Sequence, residues 1–156
     1  MLLSELFVST AILEGGTHAT KESIIGELLL RLAADGHLAT ADVPAVHAEL
    51  MRRERIDSTG IGSGVAMPYA RCEVVAGPLG ILAVCRAPVH FDSIDGEPAD
   101  IFALLLLPSP LPGSPTPRHS YRLMRALADK RFCAGVRRAK SEAEIFDLLR
   151  AAGGSR

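Results

Sequence analysis

A chain of 156 residues has room for one domain built on one core. Hydrophobic residues at 48% and charged residues at 22% exclude a disordered polyelectrolyte. Seventeen basic side chains against eighteen acidic ones leave a formal charge of −1, which excludes a large nucleic-acid footprint or a polybasic membrane anchor and leaves local patches to recognise partners.

The opening Met1-Leu2-Leu3-Ser4-Glu5-Leu6 has no basic segment and is broken by Glu5, so it does not read as a signal peptide. The longest apolar run, 101–107, is seven residues, against roughly 20 for a membrane helix. Membrane insertion is not expected, and a cytoplasmic protein is. Thr20 is a cap for a helix carrying Ile24, Ile25, Leu28, Leu29 and Leu32 at helical spacing, with Gly36 as its stop. Thr40-Ala41-Asp42 begins a second helix through Val46, Leu50 and Met51, ending near Arg55, with Pro44 tolerated in its first turn.

From Ser58 the texture changes to glycines and short β-type pieces such as Val65-Ala66-Met67. Residues 79–85 predict a buried strand, Val89-His90-Phe91 a short extended piece, Asp95-Gly96 a hairpin turn, and 101–107 a second buried strand. Five prolines within 108–117 impose a loop. Helices over 120–128, 131–139 and 142–152 close the chain, the last behind a capping box from Ser141 to Glu144. Helices, then strands, then helices predict a single α/β domain over 1–156, its buried sheet sandwiched between helices.

Ser58-Thr59-Gly60-Ile61-Gly62-Ser63-Gly64 is the most unusual stretch. Its glycines permit positive φ and bring amides and hydroxyls close together, the ingredients of an anion cradle. No Lys-Ser/Thr follows, so it is not a Walker loop. Val65-Ala66-Met67-Pro68 cannot open a helix, so it is not a dinucleotide fingerprint. Tight turns between strands explain such glycines equally well. Cys72, Cys85 and Cys133 fit neither a redox nor a zinc spacing and read as reduced thiols. Asp92, Asp95 and Asp100 are explained by the hairpin turn without a metal, and no cofactor is called for. His18, His37 and His47 read as solvated, and His90 as a strand residue.

Several stretches taken in order carry a family resemblance. They are Arg53-Glu54-Arg55-Ile56-Asp57 leading into the glycine run and Val65-Ala66-Met67-Pro68-Tyr69, then Phe91-Asp92-Ser93-Ile94-Asp95-Gly96-Glu97-Pro98, then Leu127-Ala128-Asp129-Lys130-Arg131-Phe132-Cys133. Together they resemble the enzyme IIA domains of the bacterial sugar phosphotransferase system, mannitol/fructose type, and most closely the nitrogen-regulatory branch. The resemblance implies a mixed sheet between helices. It also implies a phosphoryl relay in which a histidine directly after the Val-Ala-x-Pro run takes phosphate from a histidine phosphocarrier protein. Nitrogen-regulatory members act on potassium transport and sensor kinases, so a potassium transporter or a sensor kinase is an implied partner.

At that acceptor position this chain has Tyr69. Imidazole is a neutral nucleophile near pH 7, whereas a phenol with a pKa of about 10 is mostly protonated there. A second family histidine, at the start of the first helix after the proline-rich loop, corresponds to Thr116 by gapless counting, or to His119 if the loop carries an insertion. Arg53 matches an arginine near the phosphoryl group. The expected function is therefore a docking regulator of the nitrogen-regulatory type that is not phosphorylated in the usual way. Two alternatives stand beside it: a working phosphocarrier using His119 or Tyr69, and a small-anion or metabolite sensor built on Ser58, Thr59, Gly60, Gly62, Ser63 and Gly64.

Overall fold

The computed structural model describes residues 2–16, 19–109 and 119–154. In chain order it contains α1 (Leu3–Leu6), β1 (Phe7–Leu13), α2 (Lys21–Ala34), a 3-10 turn (Thr40–Asp42), α3 (Val43–Ile56), β2 (Gly60–Gly62), β3 (Val65–Ala66) and β4 (Tyr69–Cys72). There follow β5 (Leu79–Val89), β6 (Ala99–Pro108), α4 (His119–Ala128), α5 (Lys130–Arg138) and α6 (Glu142–Gly154).

The strands form one mixed sheet in the order β1-β5-β6-β3-β2, with β4 continuing along the same edge of β6 that β3 occupies. β1 runs parallel to β5, β5 antiparallel to β6, and β3 and β4 both parallel to β6. Ile81, Ala83 and Cys85 point into one core with Ile24, Leu28, Leu32 and Leu50 of α2 and α3. Leu82 and Val84 point the other way, into a core with Leu6, Leu123, Leu127, Val136 and Ile145 of α1 and α4–α6. Helices thus cover both faces, which is why 101–107 is continuously apolar instead of alternating.

The helix signals act through hydrogen bonds. Thr20 Oγ1 accepts from the Ser23 amide at 3.1 Å and Ser23 Oγ from the Thr20 amide at 2.8 Å. Gly36 sits just past α2 at φ +84°, a conformation that glycine adopts without Cβ strain. Pro44 falls in the first turn of α3. At α6 the box is displaced by one residue: Ser141 Oγ accepts from the Glu144 amide at 3.2 Å, but the Glu144 carboxylate takes the Lys140 amide at 2.9 Å.

Three features depart from the sequence reading. α1 and β1 were not anticipated; β1 is buried on both faces, so its run lacks the alternation that marks a half-solvated strand. β5 extends through Val89, and His90 lies just beyond it, exposed, its ring 2.9 Å from Asp92 Oδ1. His47 is not a free surface histidine: its Nε2 lies 2.9 Å from the Glu22 carbonyl and ties α3 to the start of α2. His18 and most of the proline-rich segment fall outside the described residues.

Candidate functional site

The elements around Tyr69 are held in register by the break between β3 and β4. Pro68 has no N–H to give the ladder, but its carbonyl accepts from the Leu105 amide at 2.9 Å. The Met67 amide donates to the Thr59 carbonyl at 2.9 Å. Tyr69 thereby begins β4 opposite Leu105, half-buried, its ring packed at the border of the core that faces α1 and α4–α6. Arg53, on the last turn of α3, donates from Nη1 to the Asp57 carbonyl at 2.8 Å. That bond holds its guanidinium 4.7 Å from the centroid of the Tyr69 ring, a cation–π contact worth about 0.5–1 kcal/mol at a partly exposed site.

A shallow cavity of about 220 Å³ opens beside this pair, lined by Glu49, Arg52, Arg53, Tyr69, Ala70 and Arg71. Arg52 is neutralised by Glu49, Nη2 to Oε2 at 2.8 Å, and the guanidinium holds the Glu49 carboxyl below its usual range. Arg71 donates to the Pro108 carbonyl at 3.2 Å. Among the described residues neither Arg53 nor Arg71 meets a carboxylate, so the lining carries an excess of two positive charges on a chain whose net charge is −1.

An ion cluster centred on a buried carboxylate adjoins Arg53. The side chain of Glu54, next along α3, is only 2% exposed. Its Oε1 accepts from Lys21 Nζ and from the Thr59 amide, both at 3.0 Å, and its Oε2 from the Thr59 hydroxyl. Lys21 also reaches Asp92 at 3.0 Å and lies 5.0 Å from the Phe91 ring centroid. Burial lowers the Lys21 pKa, but its bonds to Asp92 and Glu54 outweigh that and the net direction is up. Asp92 is held low by the Lys21 bond first, then by His90. Glu54 went unnoticed in the sequence because it sits in a charge run, Arg52-Arg53-Glu54-Arg55, that reads as a solvated face. A signal was present: it follows Leu50 by four residues, on the buried stripe of α3.

The glycine run forms the β2–β3 hairpin, with Gly62, Ser63 and Gly64 at φ +94°, +57° and +79°. Three of its amides are engaged within the chain. The Thr59 amide goes to Glu54, the Gly60 amide to Ser58 Oγ at 3.1 Å, and the Ser63 amide to Asp95 Oδ2 at 2.9 Å. Arg137 donates to the Ser63 carbonyl at 2.8 Å and forks onto Asp100 at 2.9–3.1 Å. A Cβ on Gly64 would stand 2.6 Å from Arg137 Nη2. At the hairpin's open end the Thr59 carbonyl takes the Met67 amide, two residues before Tyr69, while its tip is directed to Asp95, Asp100 and Arg137. Of the predicted site residues, the structure brings Arg53 and Tyr69 into contact and sets the Ser63–Gly64 tip apart from them. His119 opens α4, on the sheet face that Tyr69 borders; Thr116 lies outside the described residues.

The three aspartates serve separate partners: Lys21 and His90 for Asp92, the Ser63 and Glu97 amides for Asp95, Arg137 for Asp100. Cys72, Cys85 and Cys133 are buried free thiols, and burial pushes each of them up.

The family model described as "Phosphoenolpyruvate-dependent sugar phosphotransferase system, EIIA 2" matches residues 6–152. The chain belongs to this EIIA type 2 family. Among curated EIIA relatives, the nitrogen regulatory protein of Klebsiella oxytoca is 34% identical over 110 residues, 69% of this chain and 67% of that protein. Its counterpart in Escherichia coli K12 is 33% identical over 106 residues, a stretch spanning 64% of that protein. The nitrogen regulatory protein of Bradyrhizobium diazoefficiens is 28% identical over 149 residues, 96% of this chain and 95% of that protein. The crystal structure of nitrogen regulatory protein IIA-Ntr from Neisseria meningitidis superposes with a TM-score of 0.75 at 28% identity, covering 94% of this chain and 98% of that one. The mannitol IIA of Escherichia coli, with a TM-score of 0.65 at 21% identity over 88% of this chain and 94% of that one, shares the fold. The EIIA type 2 fold and the nitrogen-regulatory likeness expected from the motifs are both found.

Proposed function

We propose that this EIIA domain is a nitrogen-regulatory-type docking protein of the phosphotransferase system that does not carry phosphate at position 69. One observation supports the reading above others: the Tyr69 ring is covered by the Arg53 guanidinium at 4.7 Å, at the start of β4. A relay needs a group that attacks phosphorus at neutral pH and then releases it. A protonated phenol attacks weakly without a base, and its ester is a poor donor to nitrogen. Among the described side chains, none accepts a hydrogen bond from the Tyr69 hydroxyl; Arg53 covers the ring, and Arg52 and Arg71 line the same cavity. The partner that supplies phosphate within this system is a histidine phosphocarrier protein, and docking would use the face around Arg53, Tyr69 and the open end of the glycine hairpin. A potassium transporter or sensor kinase is the class of downstream target that the nitrogen-regulatory likeness suggests.

The test is a labelling reaction with phosphoenolpyruvate, enzyme I and a histidine phosphocarrier protein. The unaltered chain is expected to take up little label, and Tyr69→His to gain an acid-labile, base-stable phosphoryl group. Stoichiometric labelling of the unaltered chain, lost in Tyr69→Phe or His119→Ala, would overturn the reading and identify the working acceptor.

A further inference from the structure

Resting on that reading, we propose that the cavity beside Tyr69 reads the phosphorylation state of the docked carrier: it seats a phosphoryl group that stays bonded to the carrier's histidine, and it holds this form more tightly than the unphosphorylated carrier. The partner is thus a protein bearing a phosphorylated imidazole. No bond forms or breaks at Tyr69, and the complex is a dead end that withdraws phosphorylated carrier from other acceptors.

The charge distribution points to a dianion. The lining combines three arginines with one glutamate, and that glutamate is used up by Arg52. Arg53 and Arg71 are steadied by the carbonyls of Asp57 and Pro108, at 2.8 and 3.2 Å, which fix the side chains without neutralising them. Tyr69 and Arg71 are two apart on β4 and so project to the same side of the strand. With Arg53 over the ring, two uncompensated guanidinium groups from different elements, α3 and β4, flank one phenol. Guanidinium forks match phosphoryl oxygens, and the phenol hydroxyl adds a neutral donor where a relay protein would need a nucleophile.

The cavity favours a phosphoryl group presented by a protein over free phosphate. It is shallow, and Arg71 is exposed, so each ion pair would be screened by water and salt. A protein surface docking around it supplies additional contact area and expels that water.

The experiment titrates the full chain by calorimetry with a histidine phosphocarrier protein, freshly phosphorylated or unphosphorylated, and with inorganic phosphate, while phosphorus NMR follows the label. The phosphorylated carrier should bind about tenfold tighter or more, the scale of one added charge-assisted contact, and its phosphohistidine signal should persist. Arg53→Gln and Arg71→Gln should each reduce that preference, read as the ratio of the affinities for the phosphorylated and unphosphorylated carrier. Glu49→Gln, which frees Arg52, should increase it. Equal affinity for the two carrier forms would overturn the state-reading inference and leave the docking reading intact. Transfer of the label to the chain would overturn the docking reading itself. Saturation by inorganic phosphate alone, at concentrations comparable with the carrier, would show a free-anion site and overturn the assignment to a protein-borne group.

Discussion

Replacing Glu54 by Ala should cost this fold about 3 kcal/mol, mainly through the partner it strands. The Thr59 amide is buried and donates to Glu54 Oε1 at 3.0 Å; without an acceptor it loses about 1–3 kcal/mol. The Thr59 hydroxyl loses a charge-assisted bond, about another 1 kcal/mol. Lys21 is partly protected, because Asp92 remains 3.0 Å away and its ammonium keeps the Phe91 ring. The full penalty of about 3–5 kcal/mol for breaking a buried ion pair is therefore not expected from that side alone. Glu54→Gln keeps an oxygen for the Thr59 amide and should cost about half as much as Ala. Urea titration followed by circular dichroism, with m values held common, measures both. For a domain of this size, the Ala variant should melt roughly 6–12 °C below the parent. Tyr69 adds a local report, since it is one of only two tyrosines and its strand is tied to Thr59 through the Met67 amide. Its ring resonances should broaden or shift in Glu54→Ala. An Ala variant within about 0.5 kcal/mol of the parent, or a Gln variant worse than Ala, would refute the account of the cluster.

Two further outcomes concern the hairpin and its anchor. Gly62→Val should lose more stability than Ser63→Ala, on the order of 1 kcal/mol or more, because Gly62 sits at φ +94° and a Cβ there would meet Asp95 Oδ2 at 3.3 Å; equal thermal midpoints would refute this. Asp95 is held below the ordinary aspartate value of 3.8 chiefly by the Ser63 amide and then by the Glu97 amide. A depressed folded-state value means its contribution is present above the unfolded pKa and fades as pH falls through the lower folded one. The Ser63 and Glu97 amide shifts should move together at a midpoint below 3.8 and stop moving in Asp95→Asn; a midpoint at or above 3.8 would refute it.

The long elements were legible because each carries several agreeing local signals. α2 has a hydroxyl cap, a five-residue apolar stripe and a positive-φ glycine stop, and every one of them functions as read. The pair β5 and β6 was announced by apolar runs on either side of Asp95-Gly96. β1 gave no comparable signal. It is buried on both faces, contains Ser9 and Thr10 among its apolar residues, and gains its ladder from β5, some seventy residues away. Only tertiary pairing makes that segment a strand. The displaced box at α6 has the same origin: an exposed carboxylate chooses between two adjacent amides, and sequence spacing does not resolve that choice.

For the site, sequence identified the residue types and structure assigned their partners. Glycines with adjacent hydroxyls read equally well as a cradle for an anion or as the backbone of a tight hairpin, because both uses need positive φ and closely spaced amides. What separates the two is where the amides point, and here those of Thr59, Gly60 and Ser63 point at Glu54, Ser58 and Asp95. The uncompensated positive charge lies instead on Arg53 and Arg71, one at the end of a helix and one on an edge strand, eighteen residues apart. Neither is unusual by itself. Their meaning comes from β4 beginning at Tyr69, directly after a proline that lends β6 its carbonyl, and from Glu54 fixing the turn of α3 that carries Arg53. Glu54 and Thr59 thus set the separation between guanidinium and phenol, so the cluster around the buried Glu54 carboxylate is part of the physical basis of the site even though none of its charges lines that cavity.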